Sequence, residues 1–332
     1  MTESKKSFGI LGLGSAVPDK VLNNFDLEKM VDTSDEWITK RTGISERRLL
    51  EKDCPAYTLG VQAARKALDD AKISAADIDM ILVTTSTPDY LSPSTACLIQ
   101  KEIGASNAFA FDLNAACSGF VFGLTTAHQY LLTGYVKKAL VVSCEGLTKV
   151  VDWEDRNTCV LFGDGAGAAV LGEVENSYGI ISTYLGCNGE GSGLITIPCC
   201  YMSEEDKNKR IHENKRTLWM DGGEVFKFAV KILAQSCEKV CNDAGIDLDL
   251  IKCIVPHQAN MRILEGAAKR LGIEETIMYT NLKRYGNISS ASVPVALDEA
   301  VKDGILKFGD YFILVGFGGG LTWASALLRW CK

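Results

Sequence analysis

Short runs of β-branched and apolar residues alternate along the chain with longer segments whose apolar positions recur every three or four residues. The short runs predict strands at 80–85, 108–113, 139–143 and 166–171, and the longer ones predict helices at 59–71, 94–102 and 119–132. Such alternation is the pattern of an α/β fold with largely buried strands. The pattern then repeats. Segment 59–73 (LGVQAARKALDDAKI) is echoed by 232–246 (ILAQSCEKVCNDAGI), and the stretches around Lys137 and Lys307, 170 residues apart, also match. Phe162-Gly-Asp-Gly-Ala-Gly finds its partner in Phe317-Gly-Gly-Gly-Leu-Thr. Two similar halves follow, 1–175 and 176–332, joined near 172–180. A duplicated fold sets equivalent loops face to face, so a site between the halves draws residues from both.

Cys117 is the first candidate for chemistry. Small residues crowd it on both sides, and the helical pattern Phe120, Leu124, Ala127, Leu131 begins just after it. A cysteine at a helix start is in reach of unpaired N–H groups and the positive end of the dipole, which favour the thiolate. The same pattern suits a buried core cysteine, and local sequence leaves both readings open. The histidines narrow the choice of partner. His128 lies about three turns along the same helix and cannot reach its start. His212 sits in the polar run 203–215. His257 follows the strand 251–255 and Pro256 and precedes another helical pattern, and strand ends are where α/β sheets bind ligands. Asn287 lies in the polar turn Gly286-Asn-Ile-Ser-Ser-Ala-Ser, where a backbone cap is the ordinary role. Three consecutive glycines, 318–320, require tight packing or an exposed N–H.

Composition fits a soluble globular protein: 332 residues, 47% hydrophobic, 23% charged. A net charge of −7 argues against general nucleic-acid binding while leaving room for a local basic patch. The apolar run 8–13 is broken by glycines and too short for a signal peptide, and no stretch of about 18 apolar residues occurs. A cytoplasmic protein with no membrane segment is therefore expected. Twelve cysteines without C-x-x-C spacing predict reduced thiols, with neither a disulfide framework nor a metal site. Cys199-Cys200 and Cys237…Cys241 are read as incidental clusters.

Taken together, the motifs resemble β-ketoacyl-acyl-carrier-protein synthase III, the initiating condensing enzymes of fatty acid synthesis in the thiolase superfamily. Asp35-Glu-Trp-Ile with Arg41-Thr-Gly-Ile, Ala116-Cys-Ser-Gly-Phe, Phe162-Gly-Asp-Gly-Ala-Gly, His257-Gln-Ala-Asn and Gly286-Asn-Ile-Ser-Ser-Ala-Ser stand in that family's order and approximate spacing. The resemblance implies a thiolase-like α/β fold, in which the two halves stack mixed five-stranded sheets in an α-β-α-β-α arrangement, and it implies a homodimer. It implies a nucleophilic Cys117 with His257 and Asn287, and an oxyanion hole from the N–H groups of Cys117 and Gly319. Coenzyme A contacts would come from Asp32, Thr33, Trp37, Arg41 and Arg156, and carrier-protein contacts from Gln258, Ala259, Asn260, Met261 and Arg262. Ser92 falls where many relatives cap the acyl pocket with a phenylalanine. Asn157 replaces a usual glycine, and Cys199-Cys200 replaces small residues.

The implied reaction joins acetyl-CoA, or another short acyl-CoA primer, to malonyl-acyl-carrier-protein through an acyl-Cys117 intermediate. Acyl-CoA is a substrate, and no cofactor is implied. Two alternatives are weaker on sequence, and a third is not separated by it. A thiolase would carry a second cysteine base near a Cys-x-Gly, where this chain has Gly316-Phe-Gly-Gly-Gly. A non-catalytic acyl-binding protein would lack a member of the triad, and a condensing enzyme of a specialised polyketide pathway would share it. The helix-start position predicts that the Cys117 thiol ionises below the ordinary value of about 8.5.

Overall fold

The computed structural model describes residues 6–212 and 215–332. Nine strands form its two main sheets. Five belong to the first half: β1 (Ser7–Ala16), β2 (Met80–Thr84), β3 (Phe109–Leu113), β4 (Lys138–Gly146) and β5 (Asp164–Val174). Four follow: β6 (Gly179–Cys187), β7 (Ile251–Pro256), β8 (Tyr311–Gly318) and β9 (Thr322–Arg329). The first sheet has the order β1-β5-β4-β2-β3 and the second β6-β9-β8-β7. In both, the strands that lead into the site are parallel, β2 with β4 and β7 with β8, and the rest of the shared pattern is antiparallel.

The orders coincide once a fifth strand is allowed beside β7, the place β3 holds beside β2. Here the structure departs from two five-stranded sheets. A single parallel bridge, Ile254 to Met278, occupies that place, with the Tyr279 N–H on the Ile254 carbonyl at 2.9 Å. Chain length explains the loss, because a 3₁₀ turn at Glu275–Ile277 and a helical turn at Leu282–Tyr285 leave little extended backbone between them.

Seven helices matter for the layers: α1 (Asp35–Thr42), α2 (Tyr57–Ala71), α3 (Thr95–Ile103), α4 (Gly119–Leu132), α5 (Gly222–Ala244), α6 (Met261–Leu271) and α7 (Ser292–Lys302). Leu82 and Val141 of the first sheet share a core with Val255 and Leu314 of the second, and α4 and α7 lie in it through Phe120, Leu124, Val293 and Leu297. The alternate residues Ile81, Val83 and Leu140 face the other way and meet Ala63, Ala67 and Ile99 of α2 and α3. On the far side, Ile254 and Ile313 meet Leu233, Cys237, Ile263 and Leu264 of α5 and α6. Strands covered on both faces read as continuous apolar runs, which is why the sequence displays them. The helices stop where their caps say: Ser94 Oγ accepts the Cys97 N–H (3.3 Å) before α3, and Gly104 ends it at φ +76°.

Strand β1 has no sequence counterpart, since its glycines hide it. A Cβ on Gly12 or Gly14 would come within 2.4 Å of the Ala67 or Ala63 carbonyl, so α2 lies directly on the strand and only glycine fits. The spacing between halves is also corrected. Paired strand positions such as Leu82 with Val141 and Val255 with Leu314 stand 173 residues apart. The offset of 170 holds only where α7, with 11 residues against 14 in α4, ends three residues early. Among the described residues no helix is long and apolar enough to cross a membrane.

Candidate active site

Between β3 and α4 the chain turns sharply. Asn114 Oδ1 accepts the Ala116 N–H (3.0 Å), Ala116 takes φ +47°, and Ala116–Ser118 forms a 3₁₀ turn that runs into α4. A non-glycine residue in the left-handed region is strained and needs its surroundings to hold it. Those surroundings come from the second half. Ser118 donates to the Ala115 carbonyl (2.7 Å) and meets Thr322 Oγ1 (2.9 Å), while Thr322 donates to the Ala115 carbonyl (3.0 Å). The end of β8 presses against the same turn: a Cβ on Gly318 would stand 2.7 Å from the Cys117 nitrogen, and one on Gly316 2.8 Å from Ser118 Cα. Two of the clustered glycines are therefore explained by contact with the cysteine turn. Gly319 meets nothing closer than 3.4 Å and lines the open space beside Cys117.

The expectation for the thiol is reversed. Burial pushes the Cys117 thiol up to about 12, a hydrogen bond from Ser289 works against it, and the nearby Glu145 carboxylate adds to the rise. The N-terminal end of α4 favours a thiolate, but loss of water around the sulfur outweighs it.

His257 stands at the end of β7, where its N–H donates to the Val315 carbonyl (2.7 Å). Its Nδ1 lies 2.7 Å from Ser292 Oγ, and its ring meets Phe317 edge-on at 5.3 Å. Burial pushes it down to about 3, against the pull of the Ser289 backbone carbonyl, so the ring is neutral. Ser292 Oγ also accepts the Gln258 N–H (3.3 Å) and can give its own proton to His257 Nδ1. The ring proton then sits on Nε2. Asn287 is held by its backbone, which accepts from Gly163 (3.0 Å) and donates to the Leu161 carbonyl (2.8 Å). Its Oδ1 takes the Ser289 N–H (2.9 Å), so the backbone-cap role is real, and its Nδ2 remains available as a donor.

Cys117, His257, Asn287 and Gly319 line one cavity of about 1110 Å³ that extends outward past Trp37, Arg41, Asn157, Phe226 and Arg262. At its mouth Trp37, Lys40, Arg41 and Arg262 form a further recess. The Arg41 and Arg156 guanidinium carbons lie 4.9 and 5.5 Å from the Trp37 ring centre. Several expected contacts are not brought to this cavity. Thr33 Oγ1 is enclosed without a partner, and Asp32 is used by Arg156, which bonds its carbonyl (2.7 Å) and carboxylate (3.1 Å). Arg156 reaches the site only through Trp37. Gln258 is wholly buried, donating to the Pro256 and Tyr279 carbonyls (2.8 and 3.1 Å) and accepting from Asn281, so no partner protein can touch it. Met261 packs inward beneath Gly43 and the Ile38 and Leu282 core, leaving Ala259, Asn260 and Arg262 on the cavity side. Ser92 is exposed and does not line the cavity of its own chain, because Asp89 ties its loop to the start of α2 through the Ala56 and Tyr57 N–H groups (2.8 Å each).

Sequence reasoning passed over Ser289 and Ser292, which touch Cys117 and His257. Their signal was a run of hydroxyls at the head of an otherwise apolar helix. His212 is not a free loop residue, since its Nε2 meets Glu154 at 2.7 Å. With Asp152 these form the one group among the described residues spaced for a metal, but the Lys215 ammonium already stands there, 3.2 Å from Asp152 and 3.6 Å from Glu154. All twelve cysteines are free, Cys199 and Cys200 with sulfurs 3.9 Å apart.

Comparison with known proteins gives a consistent answer. The family model described as 3-oxoacyl-[acyl-carrier-protein (ACP)] synthase III matches residues 111–189, and its C-terminal counterpart matches 241–330. A β-ketoacyl-[acyl-carrier-protein] synthase III of Desulfitobacterium hafniense (strain Y51) is 50% identical over 326 residues, 98% of each chain. The crystal structure of 3-oxoacyl-[acyl-carrier-protein] synthase III from Aquifex aeolicus VF5 superposes with a TM-score of 0.90 at 42% identity, over 98% of this chain and 100% of that one. The priming β-ketosynthase of the R1128 polyketide pathway superposes at 0.91 with 36% identity, over 99% and 98%.

Proposed function

This chain belongs to the 3-oxoacyl-[acyl-carrier-protein] synthase III family, the condensing enzymes that initiate fatty acid synthesis, and we propose that Cys117 is its acyl-accepting nucleophile with His257 and Asn287 as partners. One observation carries the assignment: three residues from separate segments, the first on one sheet's turn and the others on the second sheet's side, converge on a single cavity. In the first step the Cys117 sulfur bonds to the acyl carbon of acetyl-CoA or another short primer, the thioester bond to coenzyme A breaks, and the thiol proton leaves with the coenzyme A sulfur. In the second, malonyl-acyl-carrier-protein loses carbon dioxide. Its freed electron pair forms the new carbon–carbon bond, and the Cys117 sulfur departs and is reprotonated.

Each step passes through an oxyanion, and fixed N–H donors supply much of the acceleration. Backbone N–H groups of Cys117 and Gly319 serve the tetrahedral intermediates. The neutral His257 Nε2–H and the Asn287 amide serve the malonyl enolate. The bond-forming electrons come from decarboxylation, so neither step calls for a metal or redox cofactor. Trp37 and Arg41 hold the nucleotide of coenzyme A, with Arg156 bracing Trp37. Ala259, Asn260 and Arg262 meet the carrier protein, whose acidic surface suits the basic mouth formed with Lys40 and Arg41.

A homodimer in the cytoplasm completes the reading, as does a division into halves at 1–175 and 176–332. Supporting the dimer, β3 is an edge strand whose exposed Phe109 meets exposed Tyr135 with ring centres 5.9 Å apart, and Tyr90 and Leu91 are exposed in the loop that follows β2. The decisive experiment mixes the protein with acetyl-CoA and weighs its peptides. One acetyl group should appear on the peptide containing Cys117 and be absent from Cys117→Ser; label on Cys97 or Cys144 instead would overturn the assignment.

A further inference from the structure

Outside the catalytic constellation, the Leu218 N–H donates to the Val150 carbonyl (2.7 Å), which brings two distant segments together. The buried Arg210 donates to the Thr217 carbonyl (2.9 Å), and between them the Lys215 N–H donates to the His212 carbonyl (3.0 Å). His212 and Lys215 are thereby presented side by side to Asp152 and Glu154.

The two carboxylates divide their oxygens. Asp152 Oδ1 accepts the Glu154 N–H (3.2 Å) and the Lys215 ammonium (3.2 Å), which also meets Glu154 Oε1 (3.6 Å). The other oxygen of each turns to the histidine: Glu154 Oε2 stands 2.7 Å from His212 Nε2, and Asp152 Oδ2 stands 3.9 Å from it. Asp152 is only 3% exposed, and its Oδ2 is enclosed without a hydrogen-bond partner among the described residues. A buried carboxylate oxygen with no donor is costly, and a cation at this place would relieve that cost. Lys215 does not block it, because its half-exposed side chain engages the oxygens that the histidine does not face. With the ring neutral, two carboxylates against one ammonium leave the cluster negative.

We propose that Asp152 Oδ2, Glu154 Oε2 and His212 Nε2 form a binding site for a zinc-type divalent cation, with water as the fourth ligand. One imidazole and two carboxylates suit a first-row ion such as Zn²⁺, whereas Mg²⁺ takes oxygen donors and keeps its waters. Bonds of about 2.0–2.2 Å to a tetrahedral ion set its donor atoms about 3.3 Å apart, so the ring moves about half an ångström from Glu154 toward Asp152. The neutral ring coordinates through Nε2 and carries its proton on Nδ1. This ion takes no part in condensation. It clasps two walls of the catalytic cavity: Asp155 and Asn157 follow the carboxylates, Leu218 and Trp219 follow the histidine, and all four line that cavity.

The test is independent of Cys117. Protein carrying Cys199→Ser and Cys200→Ser, which removes an exposed pair of thiols that would also take zinc, is stripped with a chelator and titrated with Zn²⁺ against a chromophoric indicator. One equivalent should bind with a Kd of about 1 μM or tighter, and the melting temperature should rise with it. His212→Ala should weaken binding at least about 100-fold and cancel the thermal shift. Asp152→Asn should do the same, and should that buried change prevent folding, the half-exposed His212 decides. Lys215→Ala should tighten binding about tenfold, because it removes a positive charge from beside the ion. A large excess of Mg²⁺ should not compete. Equal affinity in His212→Ala, weaker binding in Lys215→Ala, competition by Mg²⁺, or no uptake at about 10 μM free Zn²⁺ would each overturn the proposal and leave the four side chains as an ionic latch.

Discussion

The turn before α4 and the turn before α7 are the same structure with different occupants. Asn114 caps the Ala116 N–H at 3.0 Å, and 173 residues later Asn287 caps the Ser289 N–H at 2.9 Å. Ala116 has φ +47° and Ser289 φ +48°, each opening a 3₁₀ turn that leads into a helix between the sheets. By this register Ser290 occupies the position of Cys117. Strand β4 offers Glu145 where β8 offers Gly318. Glycine at 318 lets the strand end touch the Cys117 backbone and leaves the thiol facing a cavity, whereas Glu145 fills the matching place and takes the Ser290 hydroxyl. One backbone device thus yields an open site and a closed one, and the side chain on the neighbouring strand decides which.

The largest test of that contrast removes the nucleophile. Cys117→Ser should lower condensation by at least about 10³-fold, because the locked Ser290 hydroxyl cannot stand in, and an acyl mass on a Ser290 peptide would break the comparison. Next come the two asparagines. Asn287→Ala should reduce carbon dioxide release from malonyl-acyl-carrier-protein by about 10²- to 10³-fold while acetylation of Cys117 survives. Asn114→Ala loses only a cap and should cost about 1 kcal/mol of stability in urea unfolding, with turnover close to wild type. Equal kinetic losses in both would mean that Asn287 acts as a cap alone.

Gly318→Ala sharpens the steric half of the comparison. A methyl group 2.7 Å from the Cys117 nitrogen must displace the turn, so acetyl transfer should fall on the order of 10- to 100-fold, and Gly319→Ala, with its nearest neighbour at 3.4 Å, should stay within about threefold. Stopped-flow acetylation distinguishes them. A smaller effect is expected at the mouth: Arg262→Glu should raise KM for malonyl-acyl-carrier-protein several-fold, most at low salt, without slowing acetyl transfer.

The mildest difference concerns acid. In the strand register His257 corresponds to Thr84, which does not titrate. The folded value for His257 lies near 3, below its ordinary value of about 6.5, so the unfolded chain binds the extra proton. Stability from this residue is therefore present above about pH 6.5 and is lost as pH falls toward 3. Chemical unfolding of His257→Asn between pH 7 and 4 should show a flatter acid decline than the wild type. A parallel decline would place the acid sensitivity elsewhere.

The duplication was legible in sequence because continuous apolar strands survive without knowledge of contacts. The layering and the grouping of Cys117, His257 and Asn287 came only through the family resemblance that the motif order carries, since on its own residues Asn287 reads as a backbone cap. Strand β1 was not legible, as Gly12 and Gly14 answer to a helix packed on them and not to strand propensity. Gln258 looked like a surface contact from its motif, yet its amide is spent on three backbone groups. Thr33 and Ser92 stand apart from the cavity of this chain for a related reason: sequence position does not report whether a side chain is enclosed or turned away. The thiol of Cys117 shows the limit most plainly, since a helix start is local and desolvation is set by the other half of the chain.

The distribution of the free cysteines has a consequence for chemical wear. Oxidants attack the thiolate form at accessible sulfurs and carry it stepwise toward irreversible acids. Cys97, Cys187, Cys199 and Cys200 are exposed, whereas the sulfur that matters is partly covered and held as a thiol. A dilute oxidant therefore reaches the outer four first. The enzyme carries its own sacrificial thiols, and its working life in air should outlast the loss of its most readily titrated sulfhydryls.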